Sequence, residues 1–256
     1  MKQVISGLLV AFSLIALTGC NIITEEYEQT YTLDATDLIA IQINHDEGDV
    51  RITGGESDQI SVTATFTAWS DESAEHAQDF IKENLTVDLS ADGSQAVLKT
   101  SVKRGNNPEQ GFIHLNIEMP NNLVVDYRQN EGQLRVESMR SDLNIQHGTN
   151  HLFLNDIIGN IKITDGAGDA TLEEVVGDMI INNNAGITKL VQSVGSVNLI
   201  AGSGPVDIEE HEGDITVRSG VGNININQVI GNVTILESRD GTVNIDNIIA
   251  PLANRN

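Results

Sequence analysis

The C-terminal half of the chain alternates small, apolar and polar residues with a period of nine. From Gly132 to Gly231 a small or turn-forming residue stands at every ninth position, and one extra residue then moves the last such position to Gly241. Apolar residues follow two and four places later, as in Gly159-Asn-Ile-Lys-Ile163. A spacing of two places both apolar side chains on one face of a strand. A short fixed period indicates units that stack into one continuous core, so the pattern predicts a β-solenoid.

Two kinds of connection alternate along this repeat. One kind carries glycine or asparagine at its seventh step and is predicted to be a tight turn with positive φ: Gly148, Gly166, Asn184, Gly202 and Gly220. The other kind is mostly apolar, as in Ile157-Ile158 and Val175-Val176, with His211-Glu212 as an exception. We therefore expect a rung of eighteen residues with two strands and two unlike turns, and roughly six and a half rungs from Gly132 to Ile249.

The outward-facing residues of successive rungs are predicted to stack in two columns. The first column is Asn144, Lys162, Ile180, Asn198, Thr216 and Thr234, and the second is Arg135, Phe153, Thr171, Lys189, Asp207, Asn225 and Asn244. Asp207 is the one acid in these columns, so neither predicts a pair of carboxylates. The adjacent acids Glu173-Glu174 and Glu209-Glu210 are expected at solvated corners.

Residues 31–130 predict a less regular β-rich region with one short helix. Ser70 and Asp71 are candidate caps for a helix that runs to about Asn84. A hairpin turn is expected at Asp92-Gly93. Alternating apolar residues predict the strands Ile39–Ile43, Gly48–Ile52, Ile60–Thr67, Phe112–Met119 and Leu123–Tyr127. We expect this region to cover the first rung of a solenoid at residues 131–250, in an all-β fold: a parallel β-solenoid with two strands per 18-residue rung.

The N-terminus has the pattern of an export signal. A basic start is followed by an apolar run from Val4 to Leu17, which is too short to span a membrane comfortably, and then by Leu17-Thr-Gly-Cys20. The last four residues resemble the lipobox of bacterial lipoproteins. The resemblance implies a signal peptide at residues 1–19, cleavage before Cys20, and acylation of that cysteine, as in a palmitate-bearing lipoprotein. The alternative is an ordinary signal peptide that ends in cysteine.

The single cysteine and the residue after the predicted cleavage site indicate where in the cell the protein is held. Cys20 is the only cysteine, so it has no disulfide partner within the chain. Asn21 rather than aspartate follows it, and the lipoprotein resemblance then favours the outer membrane of the cell envelope. Residues 20–30 are predicted to be a mostly polar tether. The membrane is thus a predicted partner through a lipid anchor at Cys20.

Charge and residue types argue against several classes of function. The formal net charge of −23 argues against nucleic acid and anionic lipid headgroups as direct partners. Aromatic residues are too few for a sugar-stacking surface. His147 and His151 are expected as exposed turn residues rather than zinc ligands. Asp165 and Asn182–Asn184 are expected as turn formers rather than calcium ligands. We therefore predict no catalytic, cofactor or metal residues, and no enzymatic activity.

A wider resemblance follows from Ile41-Gln-Ile-Asn-His-Asp-Glu-Gly-Asp-Val-Arg-Ile52, from Glu118-Met-Pro120, and from the repeats after Gly132. Together they resemble DUF4097, a bacterial family of adhesin-like domains, which implies the fold and no catalytic residues. The leading hypothesis is a lipid-anchored envelope protein with a non-catalytic, adhesin-like surface for an envelope protein or glycan.

Two alternatives remain open from the sequence. A polysaccharide-acting β-helix enzyme would show a clustered, buried acid pair in a groove. An envelope-stress or assembly accessory that binds a protein partner would show an exposed apolar patch on the Val175/Val176 edge.

Overall fold

The computed structural model describes residues 5–7, 22–104 and 110–249, and in these residues the chain is all-β apart from one short helix. Two compact units are present. Unit 1 contains Met1–Leu123 and Arg128–Gly132, and unit 2 contains Val124–Tyr127 and Gln133–Asn256. Cys20 and the rest of the lipobox lie outside the described residues, so acylation stays a prediction. The expectation that residues 31–130 cover the first rung also stays a prediction.

Unit 1 is built on two sheets and a helix. One sheet has the strand order β1-β2-β5-β8-β4, and a second contains β3, β7 and β6 side by side. The pairs β4–β8 and β3–β7 are parallel, whereas β2–β5, β5–β8 and β6–β7 are antiparallel. The elements are β1 (Ile5–Gly7), β2 (Ile23–Asp34), β3 (Ala40–Glu47), β4 (Val50–Gly55), β5 (Gln59–Ser70), α1 (Ala74–Asn84), β6 (Leu85–Asp92), β7 (Gln95–Val102) and β8 (Gln110–Pro120).

Helix α1 begins and packs close to where the sequence predicts it. Its N-cap is Ser73, slightly after the predicted Ser70 and Asp71, and the Ser73 side chain accepts a hydrogen bond from the amide of His76. Ala77, Phe80 and Ile81 form the buried face, which packs over β5 and β2. The helical spacing of these three residues explains why one face of an otherwise polar segment becomes buried.

Strand β2 corrects the prediction of a tether at residues 20–30. Residues 23–30 belong to β2, which pairs with β5 along its whole length, from Ile23 opposite Ser70 to Asp34 opposite Gln59. Glu25 is buried within this segment, and its Oε2 accepts a hydrogen bond of 3.0 Å from the Gln78 amide. The polar residues looked like a linker because their partners in β5 and α1 lie far along the chain.

Unit 2 is the predicted parallel β-solenoid, with about 7 turns. The even-numbered strands β10 to β22 form one parallel sheet, and the odd-numbered strands β11 to β21 form the other, beside the first residues of β9. The strands are β9 (Val124–Glu131), β10 (Leu134–Met139), β11 (Leu143–Thr149), β12 (Leu152–Ile158), β13 (Ile161–Ala167), β14 (Ala170–Val176), β15 (Met179–Asn183), β16 (Thr188–Val194), β17 (Val197–Ala201), β18 (Val206–Glu212), β19 (Ile215–Ser219), β20 (Ile224–Ile230), β21 (Val233–Ser238) and β22 (Val243–Ile249).

The strand register confirms the eighteen-residue rung. Leu134 lies opposite Leu152, and Leu152 lies opposite Ala170. Both predicted outward columns are ladders of directly opposed residues in the two sheets. The extra residue before Gly241 is accommodated by a register shift, since Arg218 pairs with Glu237 and leaves Leu236 as an exposed bulge.

The predicted position of positive φ is wrong. Gly166, Gly202 and Gly220 do not adopt it. Positive φ occurs at several glycines of the nine-residue positions, such as Gly177, Gly195 and Gly213. Values of 51–58° also occur once per rung in the other sheet, in a set that we call the bend column: Ser138, Asp156, Glu174, Gln192, Glu210, Gln228 and Asn247. At each bend two consecutive residues face away from the core, so that the next residue can return to it. Asn155 and Asp156 are followed in this way by the fully buried Ile157.

Strain in the bend column predicts opposite effects at two neighbouring glutamates. Glu174 has φ 54°, a conformation that costs an L-residue about 1–2 kcal/mol and glycine almost nothing. We expect Glu174→Gly to raise the free energy of unfolding by about 0.5–1 kcal/mol. Glu173→Gly, one residue earlier and without positive φ, should lower it by a similar amount. Urea denaturation of both variants checks this, and a lower midpoint for Glu174→Gly would contradict it.

Side chains after the nine-residue positions join one rung to the next. The Oδ1 atom of Asp142 accepts a hydrogen bond of 2.8 Å from the backbone N–H of Asn160. Asn160 Oδ1 in turn accepts one of 3.1 Å from the backbone N–H of Asp178. Asp178 Oδ1 then accepts the amide of Ser196 at 2.9 Å. The recurrent Asp or Asn therefore satisfies backbone donors that the strand ladders leave over. This role explains why aspartate or asparagine recurs at this position of the repeat.

Candidate binding groove

One corner of the solenoid exposes a row of aliphatic side chains. We call this row the edge ladder: Ile158, Val176, Val194, Glu212, Ile230 and Ile249. Successive members are directly opposed in neighbouring strands of the even-numbered sheet. The five aliphatic members are each between 40% and 64% exposed. Contiguous exposed apolar surface is uncommon on soluble proteins and marks sites of interaction.

The bend column explains why these residues are exposed. After each bend the chain returns one side chain to the core and then points the next one outward. Val175 is thus fully buried, whereas Val176 is 44% exposed. The sequence singled out this pair of valines, and the structure decides that the second of them faces solvent.

A groove of about 810 Å³ runs beside the edge ladder in the later rungs. Bend-column residues line one side and edge-ladder residues line the other, with buried side chains beneath them. The lining residues are Gln192, Ser193, Val194, Glu210, His211, Glu212, Gln228, Val229, Ile230, Asn247 and Ile249. We call this the corner groove. Its rim is polar, and Gln192 Nε2 donates a hydrogen bond of 2.9 Å to Glu210 Oε2. An aliphatic stripe with a polar rim is the arrangement found at protein interfaces.

His211 lies beneath the corner groove as a buried, hydrogen-bonded residue. Its Nδ1 is 2.8 Å from Ser193 Oγ, which belongs to the preceding rung. Burial lowers the pKa of His211, and the nearby carbonyls of Gly195 and Ser193 partly oppose that shift. The imidazole is therefore neutral at neutral pH and contributes no charge to the groove.

Three polar residues expected in turns lie inside the solenoid instead. His147 is buried, and its Nδ1 is 2.6 Å from Asp165 Oδ1, which is also buried. Asn183, the next residue of the same ladder, donates a hydrogen bond of 3.1 Å to Thr188 Oγ1. Each side chain finds a partner in a neighbouring strand, which lets polar atoms remain inside the core. His151, by contrast, is half-buried beside the Phe153 ring.

His45 is a second buried histidine, in unit 1. Its Nε2 donates a hydrogen bond of 3.0 Å to the carbonyl of Gly48, and its Nδ1 accepts one of 2.9 Å from Thr100 Oγ1. Desolvation lowers the pKa of His45 to about 4, although the Gly48 carbonyl opposes the shift. The periodicity of the sequence carries no signal for these histidines, because their partners are remote in the chain.

Among the described residues, the acids do not form the clustered, buried pair that the polysaccharide-enzyme hypothesis predicts. The buried acids among the described residues are Glu25 and Asp165, each held by a different partner. Glu209 and Glu210 are exposed at the corner, as predicted, with Glu210 on the groove rim. In the part of the chain that the structure describes, no group of three or more His, Cys, Asp or Glu residues could hold a metal ion. The absence of metal and of catalysis stays a prediction.

The one helix in residues 22–104 and 110–249 is too short and too polar to cross a membrane.

Several solved bacterial structures are similar to this chain. One is described as a "putative cell adhesion protein" from Clostridium sporogenes; it is 14% identical, the match covers 86% of this chain and 99% of that one, and the TM-score is 0.36. Another is a "putative lipid binding protein" from Parabacteroides distasonis, with 12% identity, 86% and 96% coverage, and a TM-score of 0.39. A third is a "putative adhesin" from Parabacteroides merdae, with 15% identity, 86% and 95% coverage, and a TM-score of 0.34.

Sequence comparison adds no closer relative. No protein-family model matches the chain, and no curated protein matches it. At these identities and TM-scores the structural likeness carries no argument about ligand or activity. Membership of the DUF4097 family therefore stays a prediction, beside the finding that proteins named as adhesins are among the similar structures.

Proposed function

We propose that this protein is a lipid-anchored protein of the cell envelope, held at the outer membrane through Cys20, whose solenoid is a non-catalytic interaction surface for a protein partner. The observation that carries the proposal is the edge ladder with its adjoining corner groove. An aliphatic stripe exposed to water favours burial against another apolar surface by about 25 cal/mol per Å². The polar rim would then fix the orientation of the partner.

The corner favours binding over the alternative of polysaccharide cleavage. The enzyme hypothesis needs a clustered, buried acid pair in a groove, whereas Glu210 and Glu212 on the groove rims are exposed. Glycan adhesion through ring stacking has little support here, since no aromatic residue lines the groove. The exposed Val176 edge matches the apolar patch expected of an accessory that binds a protein partner, so a protein with an apolar face fits this edge better than either.

Site-specific photocrosslinking in intact cells tests the interaction surface. A photoreactive amino acid at Ile230, in the edge ladder, should give a discrete protein adduct. The same amino acid at Asn225, exposed in the same strand but in the polar column, should not. Val194→Lys should reduce the Ile230 adduct at least fivefold, and Asn198→Lys in the same rung should leave it unchanged. Equal labelling at Ile230 and Asn225, or none at either, would refute the proposal.

The lipid anchor has its own test. Cys20→Ser should abolish incorporation of labelled palmitate and release the protein from the membrane fraction, because several acyl chains on one residue give stable anchoring and their loss removes it. Metabolic labelling and fractionation of inner and outer membranes measure both effects. Normal acylation of the Cys20→Ser variant would show that the anchor has been misassigned.

A further inference from the structure

Unit 1 contains a pocket of about 540 Å³ that is separate from the corner groove. It lies between strand β2 on one side and helix α1 with the start of β6 on the other. The lining residues include Tyr27, Tyr31, Phe66, Ile81, Lys82 and Val87. This volume is within the range of small-molecule sites, about 300–1,000 Å³.

The pocket is elongated along β2. Tyr27, Gln29 and Tyr31 alternate with the intervening residues and share one face of the strand. Four residue steps separate the two tyrosines, which corresponds to about 13 Å of strand. The Tyr27 and Phe66 rings lie 5.8 Å apart and extend the apolar wall onto β5. The shape therefore suits a long, narrow ligand better than a compact one.

The opposite wall is aliphatic. Ile81 and Leu85 are buried and Val87 is half-buried, so these side chains offer methyl and methylene surface facing the tyrosines. Burial raises the pKa of Tyr31 to about 12, with a smaller contribution from Tyr27. The Tyr31 phenol is thus uncharged at physiological pH.

The charged lining residue of this pocket lies at its rim. The lining residues include one cationic side chain, Lys82, which is 69% exposed. Its Nζ is 3.2 Å from Asp79 Oδ1, an exposed pair one helical turn apart that contributes little to stability. The net charge of −23 argues against binding to an anionic membrane surface, but the exposed Lys82 ammonium group provides a local contact for the single anionic group of one bound ligand.

We propose that this pocket binds a single long acyl chain that ends in an anionic headgroup. The chain lies between the Tyr27, Tyr31 and Phe66 wall and the Ile81, Leu85 and Val87 wall, and the headgroup contacts Lys82. A free fatty acid and a singly acylated phospholipid share this chemistry. The site is distinct from the corner groove, so either proposal can fail without the other.

Fluorescence of cis-parinaric acid added to the purified full chain tests for the site. We expect saturable binding with one molecule per chain. Competition then separates the two sources of the ligand: displacement by palmitate assigns a free fatty acid, and displacement by palmitoyl-lysophosphatidylglycerol alone assigns a lipid. Failure to saturate, or displacement by neither competitor, overturns the proposal.

Matched variants place the binding in this pocket. Val87→Trp fills the pocket and should weaken binding at least tenfold. Asp88→Trp, at a neighbouring residue that does not line the pocket, should change the affinity by no more than twofold. Lys82→Glu avoids the core and should weaken palmitate binding at least fivefold more than hexadecanol binding, while Lys99→Glu on the exposed part of β7 should not. Equal binding by Val87→Trp and Asp88→Trp would show that the ligand does not bind in this pocket. Equal effects of Lys82→Glu and Lys99→Glu would refute the assignment of Lys82 as the contact of the headgroup.

Discussion

Gly202→Val is expected to lower the free energy of unfolding of the solenoid by about 3 kcal/mol or more, a large part of the stability of a domain. A Cβ atom on Gly202 would lie 2.0 Å from the carbonyl oxygen of Asn184, which belongs to the backbone of the preceding rung. Backbone cannot rotate away as a flexible side chain can, so the two rungs would have to separate at this turn.

The neighbouring residue supplies the control. Ser203 is exposed, and Ser203→Val should change the free energy of unfolding by no more than about 0.5 kcal/mol. Gly202→Ala, which adds only the clashing atom, should lie near Gly202→Val rather than near Ser203→Val. Urea denaturation followed by circular dichroism compares the three. Equal midpoints for Gly202→Val and Ser203→Val would refute the steric account.

Acidification is expected to destabilise unit 1 through His45. The unfolded chain binds a proton on this histidine near pH 6.5, whereas the folded protein binds it only near the lowered pKa of about 4. Between these values the unfolded state carries more protons, so the free energy of unfolding falls as the pH falls. Linkage at about 1.4 kcal/mol per pH unit gives a loss of roughly 3 kcal/mol between pH 7 and pH 4. The lowered pKa of His211 acts in the same direction in unit 2.

His45→Gln isolates this effect. Glutamine can still donate to the Gly48 carbonyl and accept from Thr100 Oγ1, but it does not titrate. The variant should lose most of the difference in stability of unit 1 between pH 7 and pH 4.5. His76→Gln, at an exposed position, should keep it. Hydrogen exchange at the amides of β3 and β7 reports on unit 1 alone, and identical pH dependence in the wild type and His45→Gln would contradict the assignment.

The repeat could be predicted from sequence because its determinants are local. Apolar residues two apart decide which side chains of a strand can share a face, and a constant period decides which residues stack. Ile161 and Ile163 are buried as this pattern requires, and Arg135 lies opposite Phe153 as the column predicts. Even the extra residue before Gly241 has its counterpart in the bulge at Leu236.

Contacts between rungs decided what the pattern could not. Glycine was expected where φ is positive, but Gly202 is required by the approach of two backbones, and the left-handed bends are made by residues such as Glu174 and Gln192. The free-energy cost of positive φ at a bend is small enough that burial of the next side chain compensates for it. A clash with a carbonyl oxygen has no such compensation.

Partners distant in sequence decided the remainder. His147 and Asp165 were predicted to lie in exposed turns, because the hydrogen bond that allows their burial joins two different rungs and leaves no local signal in the sequence. Residues 23–30 were predicted to be a tether because the strand with which they pair, β5, lies far along the chain. The pocket beside Tyr31 needs β2, β5, α1 and β6 together. Sequence alone thus determined the period, the inward faces and the candidate edge at Val175-Val176. Only tertiary structure decided which polar groups are buried and which valine faces solvent, because burial depends on neighbours that the local pattern does not specify.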